Sequence, residues 1–93
     1  MKLISGTEEL IGKVTRYFPH IAVAAATLSG ELKAGDRIRL KGHTTDFSET
    51  IESLEIEHRK VDRARAGDHV AFKVSEKARP GDQVLRVIAP PTK

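Results

Sequence analysis

The chain has 93 residues, a formal net charge of +3 and no cysteine. This length accommodates one hydrophobic core, and the lack of cysteine excludes a disulfide framework, a cysteine zinc site, an iron–sulfur cluster and a thiol nucleophile. No apolar run is long enough to predict a membrane-spanning helix, and the start of the chain does not resemble a signal peptide. We therefore expect one cytoplasmic domain over residues 1–93, with its core at about 10–88 and a frayed tail at 89–93.

The first predicted elements are a strand, a loop and an alanine-rich segment. Residues 10–14 predict a first strand, which ends in the loop Arg16-Tyr17-Phe18-Pro19-His20. The apolar run 21–28 carries alanine at positions 22, 24, 25 and 26. Such small side chains suit a crowded interior or the close approach of two backbones.

Three Gly-Asp pairs, each followed by a strand-like run, divide the middle and end of the chain. The pairs are Gly35-Asp36, Gly67-Asp68 and Gly81-Asp82. Glycine supplies the positive φ of a tight turn, and aspartate accepts local backbone hydrogen bonds. The runs after the first two pairs alternate between apolar and other residues, which is typical of half-buried strands. We therefore predict three turns that lead into strands.

Residues 49–66 fit two structures. A helix is favoured by apolar or neutral residues at helical spacing, namely Ile51, Leu54, His58, Val61 and Ala64. Gly67 would be a suitable helix C-cap. The strand alternative places Leu54 and Ile56 on one face and requires a β-bulge between Ile51 and Leu54. Periodicity alone leaves both structures open.

The excess positive charge is concentrated after an acidic stretch. Glu49, Glu52, Glu55 and Glu57 are followed by Arg59, Lys60, Arg63 and Arg65, with only Asp62 between the bases. These four bases and Asp62 equal the net charge of the whole chain. One interpretation is a solvated strand face and turn. The other is a basic loop that contacts phosphate or an acidic protein, together with Lys41 and His43 from a neighbouring loop.

The residues do not form a pattern that predicts catalysis. The four histidines, which are His20, His43, His58 and His69, are not at the spacing of a metal-binding motif. The aspartates of the Gly-Asp pairs are turn residues, and Asp46 with Glu49 is more simply a strand cap than a carboxylate pair. A metal-dependent enzyme would need His43, His58 and His69 to converge. We therefore expect a non-catalytic chain without metal or cofactor.

Several segments together resemble one protein family. Residues 30–40 (GELKAGDRIRL) resemble the "G-x-[IL]-K-x-G-D-x-[IV]" turn in the second domain of translational GTPases. Residues 51–61 and 64–71 are similar to the later half of that domain, with the pattern of the selenocysteine-specific elongation factor. Residues 79–85 resemble its closing segment. The resemblance covers about residues 10–88 in the right order.

The resemblance implies an all-β fold, a single closed six- or seven-stranded Greek-key β-barrel. It makes residues 49–58 a strand and 59–67 a turn, and it implies a monomer. Barrels of this family bind RNA or proteins, and some are appended to collagenase-like peptidases. The chain lacks the P-loop motif, so we expect no nucleotide binding or GTPase activity. Residues 24–29 lack the charged side chains that help elongation factor Tu to hold aminoacyl-tRNA.

Two functions follow as expectations. The first is a binding module that contacts the backbone of transfer or ribosomal RNA, or a ribosome-associated partner, through the basic loop; the scarcity of aromatic residues argues against base stacking. The second is a protein–protein accessory module of a larger enzyme such as a collagenase-like peptidase. Its contact would be the acidic stretch 49–57 or the Tyr17-Phe18 loop.

Overall fold

The computed structural model describes residues 7–89, and this part of the chain is all-β. Its strands are β1 (Thr7–Phe18), β2 (Val23–Leu28), β3 (Leu32–Lys33), β4 (Arg37–Lys41), β5 (Asp46–Thr50), β6 (Leu54–Ile56), β7 (Arg59–Val61), β8 (Arg63–Ala64), β9 (His69–Lys73) and β10 (Gln83–Ala89). No stretch within 7–89 is a helix that could cross a membrane. The all-β prediction is confirmed. The frayed tail predicted at 89–93 is wrong for Ala89, which ends β10 and pairs with Thr7, and residues 90–93 lie outside the described residues.

Eight strands form one antiparallel sheet in the order β5-β4-β10-β1-β2-β9-β6-β7, and β3 pairs with β8 in a second, two-stranded sheet. Backbone pairing in the large sheet ends at β5 on one side and at β7 on the other within the described range. Residues from both sheets form one hydrophobic core. Its completely buried large side chains include Ile11, Leu32, Ile38, Leu40, Ile51, Leu54 and Val84.

The first strand is longer than the sequence predicted. It continues through the expected loop as far as Phe18, where the chain turns back into β2. Tyr17 pairs with Ala24 and Phe18 with Val23, so the aromatic side chains lie on a ladder, where such residues are favoured. The prediction of a loop from residue 16 was therefore wrong for residues 16–18.

The alanine-rich strand β2 lies in the middle of the large sheet, between β1 and β9. Ala24 and Ala26 are buried on its inner face, and Ala25 faces the other side. The neighbouring Gly12 explains why small residues suit this region, since an added Cβ there would lie 2.7 Å from the carbonyl oxygen of Thr27. The predicted crowded interior is confirmed.

Residues 49–66 form short strands and turns and no helix. The strand β5 ends at Thr50, residues 51–53 leave the ladder, and β6 begins at Leu54. This break allows both Ile51 and Leu54 to be buried, as the predicted change of phase requires. Glu57 and His58, with φ of 52° and 66°, turn the chain into β7. The helix alternative was therefore wrong, and the turn predicted over 59–67 is instead β7 and β8 followed by a shorter turn.

The three Gly-Asp turns share one structure. Gly35, Gly67 and Gly81 have φ of 97°, 95° and 95°. In each turn the aspartate carboxylate accepts a hydrogen bond from the backbone N–H three residues earlier, at 2.9, 2.9 and 2.8 Å. The roles predicted for both residue types are confirmed.

Each Gly-Asp turn also docks on a distant strand or link through two backbone hydrogen bonds. The glycine N–H donates to the carbonyl oxygen of a docking residue in that strand or link. The N–H of the docking residue donates in turn to the carbonyl oxygen of the aspartate. The docking residues are Ile51, Leu28 and Val14, and all three are buried. The turns therefore fasten the ends of β4, β9 and β10 to the rest of the fold.

Candidate functional site

The basic residues predicted as a site are divided between two strands and a turn. Arg59 and Lys60 lie on β7, Arg63 lies on β8, and Arg65 precedes the turn at Gly67; all four are exposed. Successive residues of a strand point to opposite faces, so Arg59 and Lys60 diverge. Arg59 pairs with Ile56, on the face that also carries Val61. The four bases therefore do not form a single loop.

Strand pairing adds a basic residue that the linear sequence did not single out. Lys33 on β3 lies directly opposite Arg63 on β8, and the neighbouring pair, Leu32 and Ala64, is buried. Lys33 and Arg63 therefore both face solvent, side by side, which is unfavourable for two like charges. We call the exposed pair of Lys33 and Arg63 the cationic patch. In the sequence, Lys33 is visible only as a base two residues before Gly35. Its proximity to Arg63 follows from the register of β3 and β8.

The acidic stretch folds back on the basic one at a single position. Glu55 on β6 lies opposite Lys60 on β7, and opposite charges at such positions are mildly stabilising. Glu49 points elsewhere, because its Oε1 accepts hydrogen bonds from the backbone N–H of Ser75 at 2.7 Å and from its hydroxyl at 2.6 Å. The acidic residues are therefore not one continuous contact face.

The ion pairs of residues 7–89 join Arg39 and Arg86 to carboxylates, and none includes a side chain of the cationic patch. One of them lies beside the patch, because Asp36, 3.8 Å from Arg86, also accepts a hydrogen bond from the backbone N–H of Lys33. Arg39 makes two hydrogen bonds with the Asp46 carboxylate, at 2.8 and 2.9 Å, and its third nitrogen lies 3.2 Å from Glu8. Arg86 pairs with Glu9 at 3.0 Å. The Arg39 hydrogen bonds hold the pKa of Asp46 below its ordinary value, and that contact in turn raises the pKa of Arg39. These charges hold neighbouring strands together, whereas the patch residues make no ion pair within the described range.

Lys41 and His43 lie in a different region from the cationic patch. They belong to the hairpin between β4 and β5, where the N–H of Gly42 donates to the carbonyl of Thr45 at 2.8 Å. The patch lies near the other end of β4, since Ala34, just before that strand, donates to the carbonyl of Asp62. The two ends of β4 are four residue steps apart, which is a distance of about 13 Å. The fold therefore does not bring Lys41 and His43 close to the later bases, contrary to the prediction.

The histidines are placed on separate elements. His43 and His58 are exposed in two different hairpin turns, and His69 begins β9, where its Nδ1 lies 3.0 Å from the hydroxyl of Thr27. Within residues 7–89 no three histidine, aspartate or glutamate side chains are grouped as metal ligands would be. Asp46 and Glu49 each have a separate partner, which supports their structural interpretation.

The aromatic pair of β1 has one half-buried and one exposed member. Tyr17 packs against the core, and Phe18 keeps 37% of its surface exposed at the edge of the turn. The Arg16 guanidinium lies 5.9 Å from the centre of the Phe18 ring, a distance at which a cation and a ring attract weakly. Ile21, with 58% exposure, lies in the same turn. This turn is an apolar surface that contacts no other part of the described chain closely enough to cover it.

Two separate cavities lie beside β5, and the sequence contained no indication of them. One, of about 410 Å³, lies between Glu49–Thr50, the link at 52–53, and residues 73–75. The other, of about 370 Å³, lies between residues 44–47 and residues 76, 77 and 79. Glu49 and Ser75 are hydrogen-bonded across the gap between β5 and the segment 73–79, and we call the two cavities together the groove beside β5.

Comparison with known proteins identifies the family. The family described as "Elongation factor Tu domain 2" matches residues 23–85, which is more than half of the chain. The chain belongs to the elongation factor Tu domain 2 family. This confirms the resemblance drawn from the Gly-Asp turns and the segments between them.

The individual relatives are peptidases. The chain is 36% identical over 75 residues to an uncharacterized protease of Methanocaldococcus jannaschii, and 36% identical over 78 residues to a collagenase of Porphyromonas gingivalis. These matches cover 80% and 82% of this chain and 18% and 22% of the two relatives. The chain thus spans about a fifth of the length of the curated relatives that it matches.

Solved structures show the same association. The C-terminal domain of a Geobacillus thermoleovorans protein assigned to the U32 peptidases superimposes with a TM-score of 0.80 at 26% identity, covering 84% of this chain and 91% of that domain. Its selenomethionine variant gives a TM-score of 0.78 and 96% coverage of that domain. The chain therefore matches nearly all of a domain that forms only one part of a larger peptidase.

Proposed function

We propose that this chain is a non-catalytic accessory module that works with the catalytic part of a peptidase of the U32 type. The observation that carries the proposal is its coverage of nearly the whole C-terminal domain of such a protein. The relatives found by sequence, a protease and a collagenase, agree with it. The charged contacts inside the fold hold strands together, so the surfaces left for a partner are the cationic patch, the Phe18 turn and the groove beside β5.

We also infer that the two sheets curve into one barrel of the Greek-key type. Support comes from the backbone bonds that connect the open ends: Gly35 donates to Ile51, and Ala34 donates to Asp62. The side chain of Glu49 reaches Ser75 across the side on which β5 has no partner strand. These contacts enclose a single core although strand pairing is interrupted.

A domain exchange in a relative tests the accessory role. The segment of the Porphyromonas gingivalis collagenase that matches this chain is deleted, and in parallel replaced by this chain or by the second domain of elongation factor Tu. We expect the deletion to reduce peptide cleavage and this chain to restore it, because it is 36% identical to the collagenase over 78 residues. The elongation factor domain has the same fold and serves as the matched control. Equal activity of the two chimaeras would contradict the proposal.

An anionic ligand such as an RNA backbone is a second candidate, and the observation that favours it is the like-charged pair of Lys33 and Arg63. Two exposed bases held side by side are stabilised when a phosphate lies between them. Binding to transfer RNA is measured over a series of salt concentrations. Replacing both residues with alanine should lower the salt slope by about 1.5, while Lys41→Ala, in the distant hairpin, should have no comparable effect. Binding without a salt slope would contradict this function.

A further inference from the structure

A further surface, on the outer face of β1 and β10, carries adjacent apolar side chains. Leu10 lies directly opposite Leu85 in the antiparallel ladder. Ile11 and Val84, their neighbours in the sequence, are completely buried, so Leu10 and Leu85 point away from the core. Leu10 keeps 51% of its surface exposed, while Leu85 and Val87, which is two residues further along the same face, are half-buried. We call Leu10, Leu85 and Val87 the outer apolar cluster.

Polar and charged side chains border the outer apolar cluster. Lys13 and Gln83 form the next exposed pair of the same ladder. Arg39 on β4 lies 3.2 Å from Glu8 on β1, so this ion pair crosses the outer face of β10, which lies between those two strands. An apolar centre with a polar border is the composition of a surface that contacts another protein. The outer apolar cluster therefore has the character of a small protein contact.

The two ends of the described range lie next to each other beside this cluster. Thr7, the first residue of β1, pairs with Ala89, the last residue of β10. Leu10 is three residue steps from Thr7, a distance of about 10 Å. In the Geobacillus thermoleovorans protein the matching domain is C-terminal, so the preceding part of that protein joins the fold at its first strand. A segment joined at either end of this fold starts close to the outer apolar cluster.

We propose that the outer apolar cluster is the surface on which the catalytic part of a U32-type peptidase docks. Covalent attachment explains why so small a cluster is sufficient, because a tethered partner is present at an effective concentration of about 1 mM and needs only modest affinity. The Phe18 turn also exposes apolar side chains, but Phe18 is eight residue steps along β1 from Leu10, about 27 Å from the point of attachment. This inference rests on the proposed accessory role for the identity of the partner.

Alkylation of an introduced cysteine tests this contact. The chain contains no cysteine, so Leu10→Cys and Ile21→Cys each give it a single thiol. Each variant reacts with iodoacetamide as the chain alone and within the collagenase chimaera, and mass spectrometry of the peptide that contains the substitution gives the rate. At an effective concentration of about 1 mM, a Kd of about 0.25 mM keeps the cluster covered about four-fifths of the time, which slows alkylation at position 10 about fivefold. Position 21, in the distant Phe18 turn, is the matched control and should not slow comparably.

A second variant reports on the same cluster from the neighbouring strand. Leu85→Cys on β10 should also be alkylated more slowly in the chimaera than in the chain alone, and it decides the question should Leu10→Cys fail to fold. Charges close to a thiol change its reactivity, and Glu8 and Arg39 lie on this face. Because each rate is compared with the rate of the same variant in the chain alone, this effect cancels.

Three results would overturn the inference. They are equal alkylation rates at position 10 in the chain alone and in the chimaera, slowing at position 21 in place of position 10, and slowing at position 10 that grows with the concentration of the chain alone. The last result would show that a second copy of the chain covers the cluster. The cleavage assay reports on the accessory role separately. Restored cleavage together with any of these results would leave that role standing and remove only the contact, whereas slowed alkylation at position 10 without restored cleavage would support the contact and contradict the role.

Discussion

Replacement of Gly67 by alanine isolates the cost of a positive φ in this fold. The residue has φ of 95°, and a Cβ added there would meet no atom within 4 Å. The change therefore creates no steric clash, and the destabilisation comes from the backbone alone. An L-residue in the left-handed region costs about 1–2 kcal/mol. For a domain of this size, that corresponds to a fall in melting temperature of about 4–16 °C.

The mirror-image residue reverses the sign of this effect. D-alanine at position 67, introduced by chemical synthesis, favours positive φ and restricts the unfolded chain. We therefore expect it to raise the free energy of unfolding by about 0.4–1 kcal/mol relative to glycine. Ala66→Ser in the same exposed turn is the control and should change stability by less than about 0.5 kcal/mol.

Urea unfolding followed by circular dichroism measures these differences, and an unchanged m-value shows that the same surface is exposed on unfolding. Gly35 and Gly81 have nearly the same φ and the same free space, so their alanine variants should cost similar amounts. Equal destabilisation by L- and D-alanine would contradict a cost set by positive φ, because it would show that any side chain at the turn is unfavourable regardless of handedness.

Three further predictions concern a charge, a close approach and the core. The pKa of Asp46 should lie below its ordinary value in an NMR titration and rise in Arg39→Gln, since hydrogen bonds from Arg39 stabilise the ionised carboxylate. The contribution of this carboxylate to stability is present above its unfolded-state pKa and lost as the pH falls through its folded-state pKa. Gly42→Ala should destabilise the chain more than Gly67→Ala does, because the added Cβ would overlap the buried Asp82 carboxylate, and urea unfolding would detect it. Leu54→Ala should cost about 2–5 kcal/mol by the same measurement, since Leu54 is completely buried; a cost below about 1 kcal/mol would contradict its place in the core.

The sequence predicts those parts of the fold whose structure is determined by a few neighbouring residues. A Gly-Asp turn needs a positive φ at one position and a carboxylate at the next, and both requirements are visible as residue types. The strands after these turns follow from period-two alternation. The hairpin at Glu57 and His58 is the opposite case: both residues have positive φ, yet neither is glycine or asparagine. The two positive φ values suit the two-residue turn that pairs Ile56 with Arg59, and the hairpin is held on the core by the buried Leu54 and the partly buried Val61.

The candidate sites depend on contacts between distant parts of the chain, which explains why the sequence predicts them less well. Lys33 and Arg63 are 30 positions apart and become neighbours only through the register of β3 and β8. Arg59 and Lys60, which are adjacent in the sequence, diverge because strand geometry separates them. The groove beside β5 depends on which strand is left without a partner, and no residue pattern within 46–50 encodes that property.

The inward direction of the turn contacts explains how a fold shared with elongation factors can occur in relatives that are peptidases. The three Gly-Asp turns dock on Val14, Leu28 and Ile51 through backbone atoms, and these contacts are directed toward the core. The side chains of the cationic patch and of the Phe18 turn take no part in these backbone hydrogen bonds, although the backbone N–H of Lys33 is bonded to Asp36 of the first turn. Surface residues can therefore change while the framework persists, and the fold by itself does not determine what is bound. For this chain the peptidase relatives, rather than the fold it shares with elongation factors, indicate the partner to test first.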